Sequence, residues 1–363
     1  MERLFIKGLK LSELFYGEAV KPILADRFPG LIYSAARLGG GSEVLDYDTL
    51  RSTDHHWGPR VQLFISEADH ERYSAEIIHA LSETLPGEIH GYSTHFAIVN
   101  GEEILTPRDS GPLRHGAAVS TLRTFFTDYL GCNPRDGLGI TDWLTFPQQH
   151  LRTIVSGRVF HDGLGELEPI RETLRYYPHD LWLYLLAGQW RRIDQEEPFM
   201  ARCGDVGDEL GSRLIAARLI RELMKLCFLL ERQYAPYSKW FGTAFAKLNC
   251  ALTFAPIFER ALNAQTWPER EKHLSAAYEA AAELHNQLQI TSPLPIKVSN
   301  FHSRPYRVIH SGRFVEAIRA AITDEAVRRL PPYLGAVDQV VDSTEALADA
   351  ARMQALKVMY DGE

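Results

Sequence analysis

The chain has 363 residues, 45% of them hydrophobic and 24% charged, enough for a large core and more than one domain. Its formal net charge of −8 disfavours a broad surface that tracks nucleic-acid phosphates. The four cysteines, Cys132, Cys203, Cys227 and Cys250, form no CxxC pair, which speaks against a cysteine-built zinc site and suits a reducing compartment.

The N-terminal segment MERLFIKGLKLSELF interleaves charges with apolar residues. It reads as an amphipathic helix and lacks the clean apolar centre of a signal peptide. No apolar run reaches the ~20 residues of a membrane span, so a cytoplasmic protein without membrane partners is expected. Leu31 to Leu38 is a compact apolar stretch ending in three glycines, as in a strand that runs into a tight turn. WGPRVQLFI reads as a second strand, and ADHERYSAEIIHALSETL (68–85) has helical spacing stopped by Pro86-Gly87. HFAIV (95–99) reads as a third strand, with Asn100-Gly101 as a hairpin turn.

Beyond about residue 115 helical periodicity takes over, beginning with VSTLRTFFTDYLG. The expected organisation is α+β. A small α/β domain with a mixed sheet spans 1–115, and a larger α-helical domain spans 116–363. In the helix near 209–232, Arg218, Arg221, Glu222 and Lys225 fall at i, i+3, i+4 and i+7, a polar stripe on an apolar cylinder. Two readings stand for it, a solvated face or the wall of a cleft. SPLPIKVSNFHSRPYR (292–307) reads as a loop, followed by two more helices, FVEAIRAAI and TEALADAARMQALKVMY.

The chemistry centres on GGGSEVLDYDTLRSTDHHWGPR. Glycines at 39–41 let a phosphate approach bare N–H groups, and Ser42 adds a hydroxyl. The plain alternative is an ordinary glycine-serine turn. Asp54 and His56 are i and i+2, so on a strand they would project together, with Arg60 on the same face if the strand stays regular. Two metal-binding groups beside a triphosphate cradle are what nucleotidyl transfer needs, because cations neutralise charge on the attacking and leaving oxygens. Asp46-Tyr47-Asp48 lies too close to Ser42 to return on a neighbouring strand and reads as a surface turn. In YAPYSKWFG (234–242), Tyr234, Tyr237 and Trp240 surround Lys239. Either they stack on a base while Lys239 meets phosphate, or they pack a corner between helices.

Glycine-serine, a spacer, then a metal-binding pair opening a strand resembles the polymerase-beta-type nucleotidyltransferase superfamily. Several stretches resemble more narrowly a bacterial family known as domain of unknown function 4037. They are the glycine segment, GRVFHDGLGELEPIRETLRYYPHDLWLYLLA, GDELGSRLIAARLIRELMKLCFLLERQYAPYSKWFGTAF, RPYRVIHSGRFVEAIRAAI and GAVDQVVDST. The resemblance implies a nucleotidyltransferase-like α/β domain followed by a helical one, and the leading expectation is a nucleoside triphosphate with Mg²⁺ or Mn²⁺ bound between them. The resemblance implies a phosphate-cradle role for Gly41 and Ser42; on the reading of the residues themselves, Gly40 and Arg60 would add phosphate contacts, with Lys225 and Lys239 as charge partners from the helical side. Asp54 would be metal ligand, and His56 second ligand or base. The acceptor of the nucleoside monophosphate would be a small molecule or a protein. Two departures stand out. His56 occupies the second carboxylate position, and Mg²⁺ rarely takes imidazole. The strand STHFAIV carries no third carboxylate, and Glu102, Glu103 and Asp109 read as turn and loop residues. The alternative implied is a catalytically degenerate member that binds nucleotide as a sensor or scaffold.

Overall fold

A computed structural model describes residues 5–108 and 111–360; Asp109 lies outside them. The chain is α+β and divides into two compact units. The first comprises 1–138 and 150–175, and the second 139–149 and 176–363. The first unit therefore runs past the boundary expected at 115. Residues 117–120 and 158–162 supply two strands of its sheet, and neither strand can bury its faces without the earlier two.

That sheet has four strands in the spatial order Ala117–Ser120, Val61–Ile65, Tyr33–Arg37, Arg158–Asp162. Tyr33–Arg37 runs antiparallel to both neighbours, and Val61–Ile65 is parallel to Ala117–Ser120. Alternation places Val61, Leu63 and Ile65 in one core with Leu11, Phe15, Ile77 and Leu81. These come from the helices Gly8–Phe15 and Glu67–Thr84. Phe64, on the opposite face, meets Phe125 of the helix Leu122–Leu130 edge-to-face at 5.3 Å.

Phe96–Val99 is a strand, as expected, but it pairs only with Glu102–Leu105 in a separate hairpin. Asn100 and Gly101 both take positive φ, 54° and 87°, the geometry of a two-residue turn whose twist matches its strands. This hairpin puts Glu102 and Glu103 on a strand, not in a loop.

The second unit is helical. Its centre is built from His179–Glu196, Glu209–Leu230, Trp267–Gln287 and Gly312–Ala321. Trp182, Trp190, Leu219, Leu223 and Phe314 are fully buried within it. Part of the segment expected to be loop, 292–307, forms a hairpin of Ser299–Phe301 with Arg304–Val308. No helix among the described residues is long and apolar enough to cross a membrane.

Candidate phosphate-binding site

The strand Tyr33–Arg37 ends on an arginine that is only 8% exposed. Such a charge must be paired where it lies. Its Nε and Nη2 donate to Glu43 Oε1 at 3.1 and 2.5 Å, and Glu43 is 1% exposed. The same guanidinium donates to Leu38 O at 3.1 Å and Gly40 O at 2.7 Å. Gln62 adds a two-way bridge, accepting from Leu38 N at 2.8 Å and donating to Leu38 O at 2.9 Å. The turn's carbonyls are thus drawn onto Arg37. Gly40 and Gly41 are exposed and Ser42 half-buried. Among the described residues, the amides of all three and the Ser42 hydroxyl make no hydrogen bond. Gly41 has φ 131°, which only glycine adopts without strain. A Cβ there would stand 2.5 Å from both Glu43 carboxylate oxygens.

The strand geometry expected of Asp54 and His56 is not formed. Leu50–Asp54 is a 3-10 turn, and the strand begins only at Val61. Gly58 at φ 145° and Pro59 intervene, and His56 itself takes φ 49°, so i and i+2 share no pleat. Asp54 Oδ1 lies 3.1 Å from His55 Nδ1 and accepts from the His55 amide. His56 Nε2 lies 2.5 Å from Glu102 Oε2, and its amide donates to Glu103 O at 2.8 Å. Arg60 is not extended toward these groups. It donates to Glu103 Oε2 at 2.7 Å and stacks over Phe96. Burial opposes ionisation of Glu103, but Arg60, Arg114 and His56 outweigh it and hold its carboxyl below the usual range.

Asp48 is not in a surface turn. It is 1% exposed and accepts from Gly8 N at 2.7 Å and from the Trp57 indole at 3.0 Å. It fixes the N-terminal helix to the loop after the glycine turn. Asp162 accepts from Ser34 Oγ at 2.6 Å and from the Glu168 amide at 3.0 Å, so it serves as a turn carboxylate.

The donor set does not fit a two-metal centre. Among the described residues no three His, Cys, Asp or Glu side chains gather to hold an ion. Asp54 and Glu102 are each engaged with an imidazole, whereas Mg²⁺ asks for several oxygen ligands.

Lys225 and Lys239 belong to the second unit. In the polar stripe of the helix Glu209–Leu230, Arg218 is exposed and pairs with Glu196 at 2.8 Å, whereas Glu222 and Lys225 are turned away from solvent. Glu222 is buried and accepts from Arg192 Nε at 2.9 Å and Gln189 Nε2 at 2.7 Å. Lys225 donates to Asp338 O at 3.2 Å, and Arg221 grips Asp342 through both terminal nitrogens at 3.1 and 2.6 Å. Burial lowers the Lys225 pKa and pushes Asp338 up to about 6. Arg221 and Lys225 line a cleft of about 100 Å³ together with Tyr237 and Phe241. Lys239 is exposed and lies over the Trp240 ring at 5.1 Å.

Residues 143–241 match the model of a described family. That family is described as a domain of unknown function, DUF4037. The DUF4037 match contributes Arg158–Asp162 to the first unit's sheet and Arg221, Lys225 and Tyr237 to the second unit's cleft. No curated protein matches the chain. Among solved structures it is similar to a nucleotidyltransferase-like protein from Exiguobacterium sibiricum 255-15. The two are 12% identical over 94% of this chain and 87% of that one, with a TM-score of 0.32.

Glu102 and Arg37 carry more of the site than the sequence suggested. For Glu102 the available signal was the Asn-Gly turn, which makes the next residue the first of a strand. For Arg37 it was a lone charge closing an apolar strand before three glycines.

Proposed function

We propose that this protein is a nucleotidyltransferase-like protein of the degenerate kind, one that binds the polyphosphate of a nucleoside triphosphate at 39–42 as a sensor or scaffold. One observation carries the reading. Arg37 holds the turn's carbonyls, while three successive amides and the Ser42 hydroxyl have no partner among the described residues. Successive N–H groups of that kind make an anion-binding concavity. They need no metal to do so, and none of the binding contacts depends on Asp54 or His56.

Transfer of a nucleoside monophosphate to a small-molecule or protein acceptor, with Mg²⁺ or Mn²⁺, is the second reading. The specific observation in its favour is Glu102, whose carboxylate stands beside His56. It could substitute for the carboxylate that His56 replaces.

Thermal-shift titrations with ATP, CTP, GTP and UTP, each with and without Mg²⁺ or Mn²⁺, test the first reading. A rise in melting temperature with at least one triphosphate, retained without metal and lost in Ser42→Ala combined with Gly41→Val, is expected. Absence of any shift sinks it. Pyrophosphate release that disappears in Asp54→Ala would move the conclusion to the second reading.

A further inference from the structure

A second cleft lies wholly within the helical unit and is independent of the glycine turn. It has a volume of about 370 Å³, within the range of small-molecule sites. Its floor is apolar. Ile322, Val327 and Leu330 are buried there against Tyr184 and Ala187. Its polar wall is Arg319 with Glu316 and Tyr333.

Arg319 is half-buried at the end of the helix Gly312–Ala321. Among the described residues its guanidinium makes no hydrogen bond and no ion pair; it lies over the Tyr333 ring, 5.0 Å from the centre, and acts electrostatically on the Tyr184 hydroxyl. That ring has a second cationic neighbour. Arg191 lies over it at 4.9 Å, itself bound to Asp194. The Tyr333 hydroxyl donates to Glu316 Oε1 at 3.1 Å, and Tyr333 takes φ 71°. The other arginine of the cleft, Arg328, is committed to Ile322 O at 2.7 Å and faces Glu325. Arg319 is therefore a guanidinium set over an aromatic ring, with none of its donors used among the described residues, beside an apolar floor.

We infer that this cleft binds a small molecule bearing one carboxylate on an apolar body, the carboxylate received by Arg319 and the body by Ile322, Val327 and Leu330. A planar fork matches a carboxylate with two parallel hydrogen bonds. Glu316 on the same wall repels a dianion, which disfavours phosphate. The aliphatic floor gains by covering a chain or ring.

The probe is hexanoate, followed by ligand-observed saturation transfer and titration on the full chain, with hexanamide and inorganic phosphate as controls. Hexanoate is expected to bind, and hexanamide and Arg319→Gln each to weaken binding by about tenfold or more. Ala320→Trp, on an exposed position that lines the cleft, is expected to block it. Should Arg319→Gln melt early, Ala320→Trp decides, because its side chain starts in solvent. Equal affinity for hexanamide, displacement of hexanoate by phosphate, unchanged binding in Ala320→Trp, or no transfer up to about 10 mM would each overturn the inference.

Discussion

Arg37 and Glu43 form a nearly fully buried ion pair directly beneath the glycine turn, with Nη2 to Oε1 at 2.5 Å. The pair fixes the shape of the turn from within the chain. It also makes the turn vulnerable. Removing one partner leaves the other charged and desolvated, which costs about 3–5 kcal/mol. Arg37→Met is expected to lose that much in chemical denaturation and to abolish any triphosphate-induced thermal shift. Full retention of the shift in a folded Arg37→Met protein would separate the turn from phosphate binding.

The adjacent glycines give a sharper contrast. A Cβ on Gly41 meets the Glu43 carboxylate at 2.5 Å, and Glu43 cannot swing aside while Arg37 holds it. The positive φ adds strain, so Gly41→Ala is expected to destabilise by about 1–3 kcal/mol. A Cβ on Gly40 has nothing within 4 Å. Gly40→Ala is expected to stay within about 0.5 kcal/mol of wild type. Urea melts of the two variants side by side check this, and equal losses would count against the described turn.

His56→Asp replaces an imidazole beside Glu102 with a carboxylate. Divalent hard cations prefer oxygen ligands. The variant is expected to bind nucleotide with a stronger Mg²⁺ dependence than the native protein, read by calorimetry with and without the ion. If native protein and variant respond to Mg²⁺ alike, His56 is not what keeps the metal out.

His285 is fully buried, its Nε2 3.1 Å from Thr291 Oγ1 and its ring against Trp190 and Phe314. Burial lowers its pKa from 6.5 to about 4. A histidine with a depressed folded pKa stays neutral in the native state while the unfolded chain takes up a proton. Its contribution is therefore present above pH 6.5 and lost as pH falls from 6.5 towards 4, a change of up to roughly 3 kcal/mol. Below about 4 both states are protonated and the loss levels off. His285→Asn is expected to be less stable at pH 7.5 and to lose less between pH 6.5 and 4. Parallel stability–pH curves would refute the assignment.

Local periodicity made much of this fold legible. The strands near 33–37 and 61–65, the helix 67–84 and the Asn-Gly hairpin all follow from spacing and turn residues. The stripe of Arg218, Arg221, Glu222 and Lys225 was visible too, with a solvated face and a cleft wall both open. What closed that choice is Asp338 and Asp342, more than a hundred residues downstream, which no local pattern reveals. Asp54 and His56 misled for a different reason. Their spacing suits a strand, but Gly58 and Pro59 stop the pleat from reaching back to them. Arg37 carries no local signal, because a charge at a strand end ordinarily reaches solvent, and only the folded turn shows that it does not.

The segment that supplies Asp338 and Asp342 has a practical consequence for handling the protein. Gln339 donates to Leu185 O and Gln189 Oε1 at 3.0 Å each, and Tyr360 donates to Gly335 O at 2.9 Å. Trimming the chain near residue 335 would strip these bonds and leave Glu222 and Lys225 wetted on a helix designed to be roofed. Fusion partners belong after Tyr360 on a flexible spacer, and a proteolytic fragment ending before Val337 should come out insoluble or prone to self-association.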